Sequence, residues 1–499
     1  MSSNLTEKVQ QTQQHFEELM AFVTTEAAQQ TTAYQVEQAL FKQLLGLGSQ
    51  LLGVFFAMRA EQSAASAPTD EAGSVLPLHS YKAPRYVSIF GEVTIKRPYF
   101  YRRGQALLPL DGALSLPEHG YSDLVRETVE VLSISRSYAE SASLMARFFG
   151  LSLSTRSLAQ MVEEDADEVR HYYEEKAPPA PEEEAAILVA QADGKGVPMV
   201  YASASAKAVR LGKGQKRKKK KEALVTGLYT TVPRVRTPEA VVASFLAGEP
   251  SQRCPPEQPP RPEQQQAARP QHKQLWATLE GKERAFTRLR AQVERRDGPH
   301  VRARVALCDG CEALQRHFQE SLPCFRLVLD FVPVTQYLWK AANVLFGEQD
   351  PQRLRWVQEQ ALALLSGQRP VLVETLRQQS EALPGQQASA AKVLGQVAGY
   401  YERNAAYMHY DQYLARGWPI ASGVIEGACR HLVKDRCEGS GMRWTPSGAE
   451  PVLALRSVYE NGDWDGYHAR RRRQRQARLY QLPFPGDRLP EEQALSMAA

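Results

Sequence analysis

Residues 185–199 read AAILVAQADGKGVPM. Ile187, Leu188 and Val189 open an apolar run bounded by charge on one side and glycine on the other, which predicts a buried strand. The run ends on Asp193, with Gly194 and Gly196 around Lys195. A carboxylate at the end of a core strand, with glycines beside it, presents its oxygens at the sheet edge, where a hard divalent cation finds suitable ligands. An Asp-Gly turn closing a hairpin fits the same residues. What the rest of the chain brings to Asp193 decides between the two.

Later stretches repeat the pattern. Ala223–Thr231 reads as a second buried strand. Val301–Leu307 reads as a third, followed by Cys308, Asp309 and Gly310, and Phe325–Leu329 as a fourth, ending on Asp330. Between them Gln274–Arg295 has helical character, and Val334–Phe346 is an amphipathic helix. Residues 351–415 are helical apart from short breaks at Gly367–Pro370 and Pro384–Gly385. Strands followed by so long a helical block predict an α/β core with an all-helical insertion. Residues 421–444, ASGVIEGACRHLVKDRCEGSGMRW, carry the next acid. Ser422 is placed to cap a helix Val424–Arg436 that buries Ile425, Cys429, Leu432 and Val433 and carries Glu426. Glu426 and Arg430 stand four apart, the spacing of a weak surface ion pair, as do Arg430 and Lys434. Arg443 and Trp444 close the segment.

Upstream, residues 4–60 read as helix, with Val36, Leu40, Leu44, Leu47, Leu51 and Phe55 forming an apolar stripe that serves either a core or an oligomer contact. A small-residue linker, Ser63–Ser74, leads to a β unit. There Tyr86–Ile89 and Val93–Tyr101 alternate about Gly91, carrying Lys96 and Arg97, with Arg102 and Arg103 just after. Such a basic, aromatic hairpin suits either DNA or plain solvent. From Tyr121 to Ala166 the pattern is helical. Gly150 breaks it, and Ser154 caps Thr155–Glu164. That makes a helix-turn-helix candidate with Arg156 and Ser157 at the start of the recognition helix, although an ordinary helical hairpin reads the same way. Ala177–Glu184 reads as a linker, and the proline- and glutamine-rich Cys254–Pro270 as a loose loop.

A chain of 499 residues suggests about three domains. Apolar content of 43% and charged content of 23% are ordinary for a soluble globular protein. Net charge is only +5, but Lys207–Lys221 holds nine basic residues without an acid, and Arg470–Arg478 holds six arginines. Lys216, Arg217, Lys218, Lys219, Lys220 and Lys221 are consecutive, which predicts a mobile loop that tracks a polyanion backbone. No targeting signal is legible. Leu44–Met58, interrupted by glycines, is too short to span a bilayer, so a cytoplasmic, nucleoid-associated protein with no membrane partner is expected. Six cysteines are too few for a disulfide scaffold. Cys308 and Cys311 form a CxxC, but Cys429 and Cys437 lack matching spacing, so free thiols are expected rather than a zinc site.

Two strand-end carboxylates and one helix-borne carboxylate suit a pair of Mg²⁺ ions, or Mn²⁺ in their place, about 3.5–4 Å apart across an in-line phosphoryl displacement. DNA or RNA would then be the substrate, its backbone met by the basic runs. Residues 192–199 (ADGKGVPM), the basic loop leading to 225–239 (VTGLYTTVPRVRTPE), 306–315 (ALCDGCEALQ), 327–342 (LVLDFVPVTQYLWKAA) and 422–444 (SGVIEGACRHLVKDRCEGSGMRW) together resemble the ISKra-type bacterial insertion-sequence transposases. That is a family of the DDE superfamily with a ribonuclease-H-like core.

The resemblance covers roughly residues 80–465. It implies that Asp193 and Asp309 are the catalytic aspartates and Glu426 the catalytic glutamate, all three ligating metal, with DNA strand cleavage and transfer at transposon ends. Asp330 begins the family's supporting D-x-x-H element, but its fourth position here is Pro333. The whole is expected to be an α+β multidomain protein. Residues 1–62 form a helical region and 80–170 a hairpin plus helix-turn-helix. The catalytic core spans 185–335 and 419–465, interrupted by helices at 336–418, and a basic tail occupies 466–499. Double-stranded DNA is the expected partner. Arg156, Ser157, Lys216–Lys221, Arg430, Lys434 and Arg443 are the candidate contacts, and a homo-oligomer forms on the DNA. The alternatives are a non-catalytic, domesticated relative, or a structure-specific nuclease on the same core.

Overall fold

Residues 1–174, with the chain from Asp463 onward, form one unit, and residues 175–462 form another. The computed structural model describes residues 3–69, 73–200, 220–246, 269–347, 349–383 and 387–480. Lys216–Lys219, the body of the basic loop and most of Cys254–Pro270 lie outside the described residues.

The first unit begins with helices α1 (Ser3–Thr24), α2 (Glu26–Gln29) and α3 (Ala33–Ala65). The expected continuous helix is divided because Thr32 starts α3 afresh, with a reciprocal bond pair to Gln35. His15 of α1 bonds Gln50 and Gln43 of α3 at 2.9 and 3.0 Å, tying the pair together. The α3 stripe is not core: Leu44 and Leu51 are each 54% exposed. By length and composition alone, the 33-residue α3 is the one helix among the described residues that could cross a membrane.

Strands β1 (Leu78–Lys82), β2 (Arg85–Ser88), β3 (Gly91–Thr94), β4 (Arg97–Arg102) and β5 (Gln105–Leu107) follow. The run expected from Val93 to Tyr101 is two strands in two sheets: β3 pairs β2, and β4 lies between β1 and β5. Arg97 is tied to Asp111 on α4 (Pro109–Ala113), so it is not free for DNA. Helices α5 (Asp123–Ser135), α6 (Tyr138–Phe149) and α7 (Thr155–Ala166) make up the region where a helix-turn-helix was expected, followed by α8 (Val169–Glu175). Gly150 takes the left-handed conformation, φ 66°, that ends α6. Ser154 Oγ accepts from Ser157 N at 3.0 Å to start α7. Val125, Val129, Met145, Leu158 and Met161 fill the space between the three helices.

The second unit is built on a five-stranded sheet. Strands β6 (Ile187–Pro198), β7 (Lys220–Thr231), β8 (Gln271–Thr278), β9 (Ala303–Cys308) and β10 (Arg326–Leu329) stand in the order β10-β9-β6-β7-β8. β6, β7 and β8 are an antiparallel meander, while β9 and β10 run parallel to β6. Residues 274–278, expected in a helix, belong to β8, and that helix, α10 (Lys282–Arg296), starts later, after α9 (Pro238–Phe245). Helix α11 (Glu312–Ser321) joins β9 to β10. Next come α12 (Phe331–Leu345), α13 (Pro351–Leu365), α14 (Arg369–Ala382), α15 (Ala388–Arg403) and α16 (Tyr410–Ala415).

The two faces of β6 are covered differently. Leu188, Ala190 and Ala192 pack with Phe286 and Leu289 of α10 and Phe318 of α11. Ile187 and Val189 pack with residues of α12–α16. The acid-bearing segment is α17 (Gly423–Ala428), a π-helical turn Cys429–Lys434 and α18 (Asp435–Cys437). Helix α19 (Pro446–Glu460) then covers the edge of β8. Ser457 accepts from Ala277 N at 3.2 Å, Asn461 accepts from Leu275 N at 2.8 Å, and Glu450 accepts from Leu279 N at 2.6 Å. An open edge is thereby satisfied by side chains instead of a sixth strand.

The chain returns to the first unit as α20 (Trp464–Tyr480), where a basic tail was expected. Arg475 bonds both oxygens of Asp123, at 2.6 and 2.8 Å, Arg471 pairs with Asp165, and Arg472 with Glu127. These arginines answer carboxylates of their own unit, which corrects the reading of the run as a free polyanion contact.

Candidate active site

Side chains alternate across a strand, so Gln191 and Asp193 follow Val189 onto the sheet face covered by α12–α16. Asp309 follows Val305 and Leu307 onto the same face. The parallel register pairs Gln191 with Leu307, and Leu329 with Cys308. Carried one or two residues further, it sets Asp193, Asp309 and Asp330 side by side across three adjacent parallel strands, just past the ends of β9 and β10 and past the last residue of β6 that pairs with β9. This is where open α/β sheets bind ligands.

Asp309 stands just past its strand, but Asp193 does not end β6. The ladder to β7 runs on from Asp193↔Val225 to Pro198↔Lys220, and what stops at Gln191 is the pairing with β9. Gly194 and Gly196 sit within that ladder. A β-carbon at Gly196 would come within 2.9 Å of Lys220 Cδ, and one at Gly194 would collide with the Glu222 carboxylate. Both glycines therefore make way for β7 side chains and do not form a turn.

Glu426 rides α17 onto the same face: Ile425 Cδ1 stands 3.7 Å from where a β-carbon of Gly227 would be. Glu426 is exposed. It does not pair with Arg430, which faces Asp435 at 3.7 Å. Ser422 does not cap α17 either. Its hydroxyl donates to Asp330 Oδ2 and ties the start of α17 to the start of α12, where Asp330 Oδ1 accepts from Val332 N at 2.9 Å. Pro333 lies in that first turn of α12, where a missing N–H costs nothing. At its far end the segment is anchored to β6: Trp444 N donates to Pro198 O at 2.9 Å, and Val200 N to Trp444 O at 2.8 Å.

The carboxylates act on one another. Burial raises the proton affinity of Asp309, and Asp193 and Glu222 add to the rise against the Cys311 N–H and Lys282. Burial pushes Asp330 up to about 7, with Glu426 and Asp309 adding, while the Val332 and Ser422 bonds oppose. Asp193 Oδ1 accepts from Gly194 N at 2.6 Å, Oδ2 lies 3.5 Å from Cys429 Sγ, and Asp309 Oδ1 accepts from Cys311 N at 3.0 Å. Burial, then Asp193, keeps the Cys429 thiol protonated. A row of mutually repelling oxygens is an electrostatic setting that a cation relieves.

Cationic groups rim the row. Lys195 lies 3.8 Å from Glu438, which Lys220 also engages, and Lys282 holds Glu222. Arg430, Lys434 and Arg443 are exposed on the Glu426 segment, and Lys221 is exposed beside Lys220. Arg156 is exposed and Ser157 half-buried in the first unit, Ser157 Oγ lying 2.8 Å from Ser154 Oγ. The sequence reading missed Glu222, Lys282 and Tyr400, and named Cys429 only as a buried helix residue and a zinc-ligand candidate. Only the switch from lysines to an acid at Glu222, where β7 begins, was a local signal. Among the described residues no three His, Cys, Asp or Glu side chains stand close enough together to hold one ion, and Cys308, Cys311, Cys429 and Cys437 are free thiols. No protein-family model matches this chain, and no curated protein matches it.

Proposed function

We propose that this chain is a DNA transposase of the bacterial insertion-sequence type, which binds terminal inverted repeats and carries out metal-dependent DNA cleavage and strand transfer. The observation that carries the reading is the row Asp193, Asp309 and Asp330 on three adjacent parallel strands, with Glu426 brought to the same face by a separate helix. Strand order and direction, a three-stranded meander followed by two parallel strands, fit a ribonuclease-H-like core, and α12–α16 fit its helical insertion.

The donor set is all oxygen, which suits Mg²⁺ or Mn²⁺. Asp193, Asp309 and Glu426 would hold the ions, which when bound activate the attacking oxygen and stabilise the leaving one. In the structure the aspartates are held by Gly194 N, Cys429 and Cys311 N, so these bonds rearrange on binding. Lys195, Lys220, Lys282, Arg430, Lys434 and Arg443 would hold the backbone on either side of the scissile phosphate, and the α6–α7 region, with Arg156 and Ser157 leading, would read the end sequence.

The test is cleavage of DNA carrying the flanks of the gene. Mg²⁺-dependent nicking at a defined end, lost in Asp193→Asn and Asp309→Asn while DNA binding persists, is the expected result. Cleavage that survives both substitutions overturns the reading. One observation favours a non-catalytic DNA-binding relative instead: the carboxylates are not grouped for a metal among the described residues. That reading predicts binding to the flanks without any metal-dependent nicking.

A further inference from the structure

Tyr400 belongs to α15, within the helical block, yet its ring lies against Gly310, next to Asp309. A β-carbon at Gly310 would stand 2.5 Å from Tyr400 Cε2 and 2.9 Å from its hydroxyl oxygen, so the glycine makes room for this ring. Tyr337 stacks on it at 3.8 Å and 8°, which fixes its plane. Tyr400 is only 4% exposed, and among the described residues its hydroxyl has no hydrogen-bond partner. Its neighbours differ: Tyr401 donates to Val334 O and Tyr410 to Leu329 O, each at 3.0 Å. A buried polar group is ordinarily satisfied, so an orphan beside a carboxylate row points to a ligand. Asp309 and Asp330 both lie within electrostatic range of the phenol, but neither accepts from it. Burial raises its proton affinity, so it stays a neutral donor.

We propose that the Tyr400 hydroxyl, shielded in the unbound structure, becomes a substrate-contacting group when the Asp309 bonds rearrange, donating a hydrogen bond to a non-bridging oxygen of the phosphodiester handled between Asp193 and Asp309. A phosphodiester has only acceptors to offer, and a rigid neutral donor placed among acids meets it without adding charge. The proposal rests on the phosphoryl-transfer reading. It gives the helical block a direct role at the site.

The experiment measures single-turnover nicking of flank DNA in Mg²⁺ by the full-length chain, with DNA affinity measured in Ca²⁺ and thermal melting alongside. Tyr400→Phe is expected to slow nicking by about a hundred- to a thousandfold, with the concentration of DNA at half-maximal rate, the affinity and the melting temperature unchanged. A wild-type rate in Tyr400→Phe means that the hydroxyl serves an ordinary buried water, and overturns the proposal while Asp309→Asn still tests the parent reading. A slow rate that comes with a lowered melting temperature also overturns it, because the role is then structural. If the unsubstituted protein and Asp309→Asn nick alike, or neither nicks, the parent reading falls and the proposal with it.

Discussion

At Asp330 two opposing effects act on one carboxyl. Its N-cap bond to Val332 and the Ser422 hydroxyl favour the anion, but burial beside Glu426 and Asp309 outweighs them and sets its pKa at about 7. An unfolded aspartate ionises at about 4. Below that pH both states are protonated and the group contributes nothing. Between about 4 and about 7 the folded state binds the extra proton, so stability falls as pH rises. At about 1.36 kcal/mol per pKa unit, the loss is a few kcal/mol. Asp330→Asn still offers an oxygen to Val332 N and cannot ionise. In metal-free urea titrations at pH 5 and pH 8, the variant is expected to lose less stability over this interval than the unsubstituted protein. Equal losses would remove Asp330 as the cause.

Among the described elements, the Glu426 segment contains a π-helical turn, Cys429–Lys434. A π-helical turn carries an extra residue and spoils the regular pairing of its carbonyls. Arg456, buried on α19, answers this by donating to Leu432 O at 2.9 Å and to His431 O. Arg456→Met keeps an apolar stem but leaves these carbonyls without their donor. It is expected to lower stability by about 1–3 kcal/mol, and to reduce nicking further than the lost folded fraction explains, because Glu426 lies one turn earlier. Denaturation midpoints and nicking rates at a temperature where the variant is folded test both parts. In the helix-turn-helix region, Ser154→Ala removes the acceptor that starts α7. It should cost about 1 kcal/mol, read by denaturant titration, and blunt discrimination between flank and random DNA in a gel shift, since Arg156 and Ser157 follow it directly.

For the whole molecule, the chain leaves the first unit at Glu174 and re-enters it at Asp463. Residues 175–462 contain a complete sheet, both of its covering layers and the helix that closes its edge. The first unit is completed only by α20. Asp165 is fully buried against Arg126 and Arg471, and Tyr467 is fully buried too, its hydroxyl donating to Asp165 O. Breaking a buried ion pair costs about 3–5 kcal/mol. The fragment 175–462 is therefore expected to melt cooperatively by circular dichroism, and the fragment 1–174 to lack a cooperative transition. A sharp transition in 1–174 would show that α20 is dispensable. This bears on any attempt to assay residues 80–170 alone for end binding, because their acidic helix faces would have lost the arginines of α20.

The sequence by itself determined the elements whose signals are local. The apolar-rich stretches read from 187, 223, 301 and 325 became strands, because short runs of aliphatic residues between polar boundaries have few other places to go. Gly150 and Ser154 marked the turn between α6 and α7, because helix ends are specified by residues one to three positions away. Asp309 and Asp330 were legible as acids just past strands for the same reason. Only the tertiary structure decided the rest. QHKQLWAT at 271–278 lacks a strand signature in its polar half, and its pairing with β7 and its cover by α19 make it β8. The arginines of α20 look like a polyanion site until Asp165 and Asp123, more than 300 positions away, are brought to them. Ser422 reads as a cap until Asp330 arrives to take its hydroxyl. Tyr400 reads as one more aromatic in a helix until the fold lays it on Gly310. The partner of a buried charge, of an edge strand or of an orphaned hydroxyl is set by which distant segments pack together, and no pattern within a few residues encodes that choice.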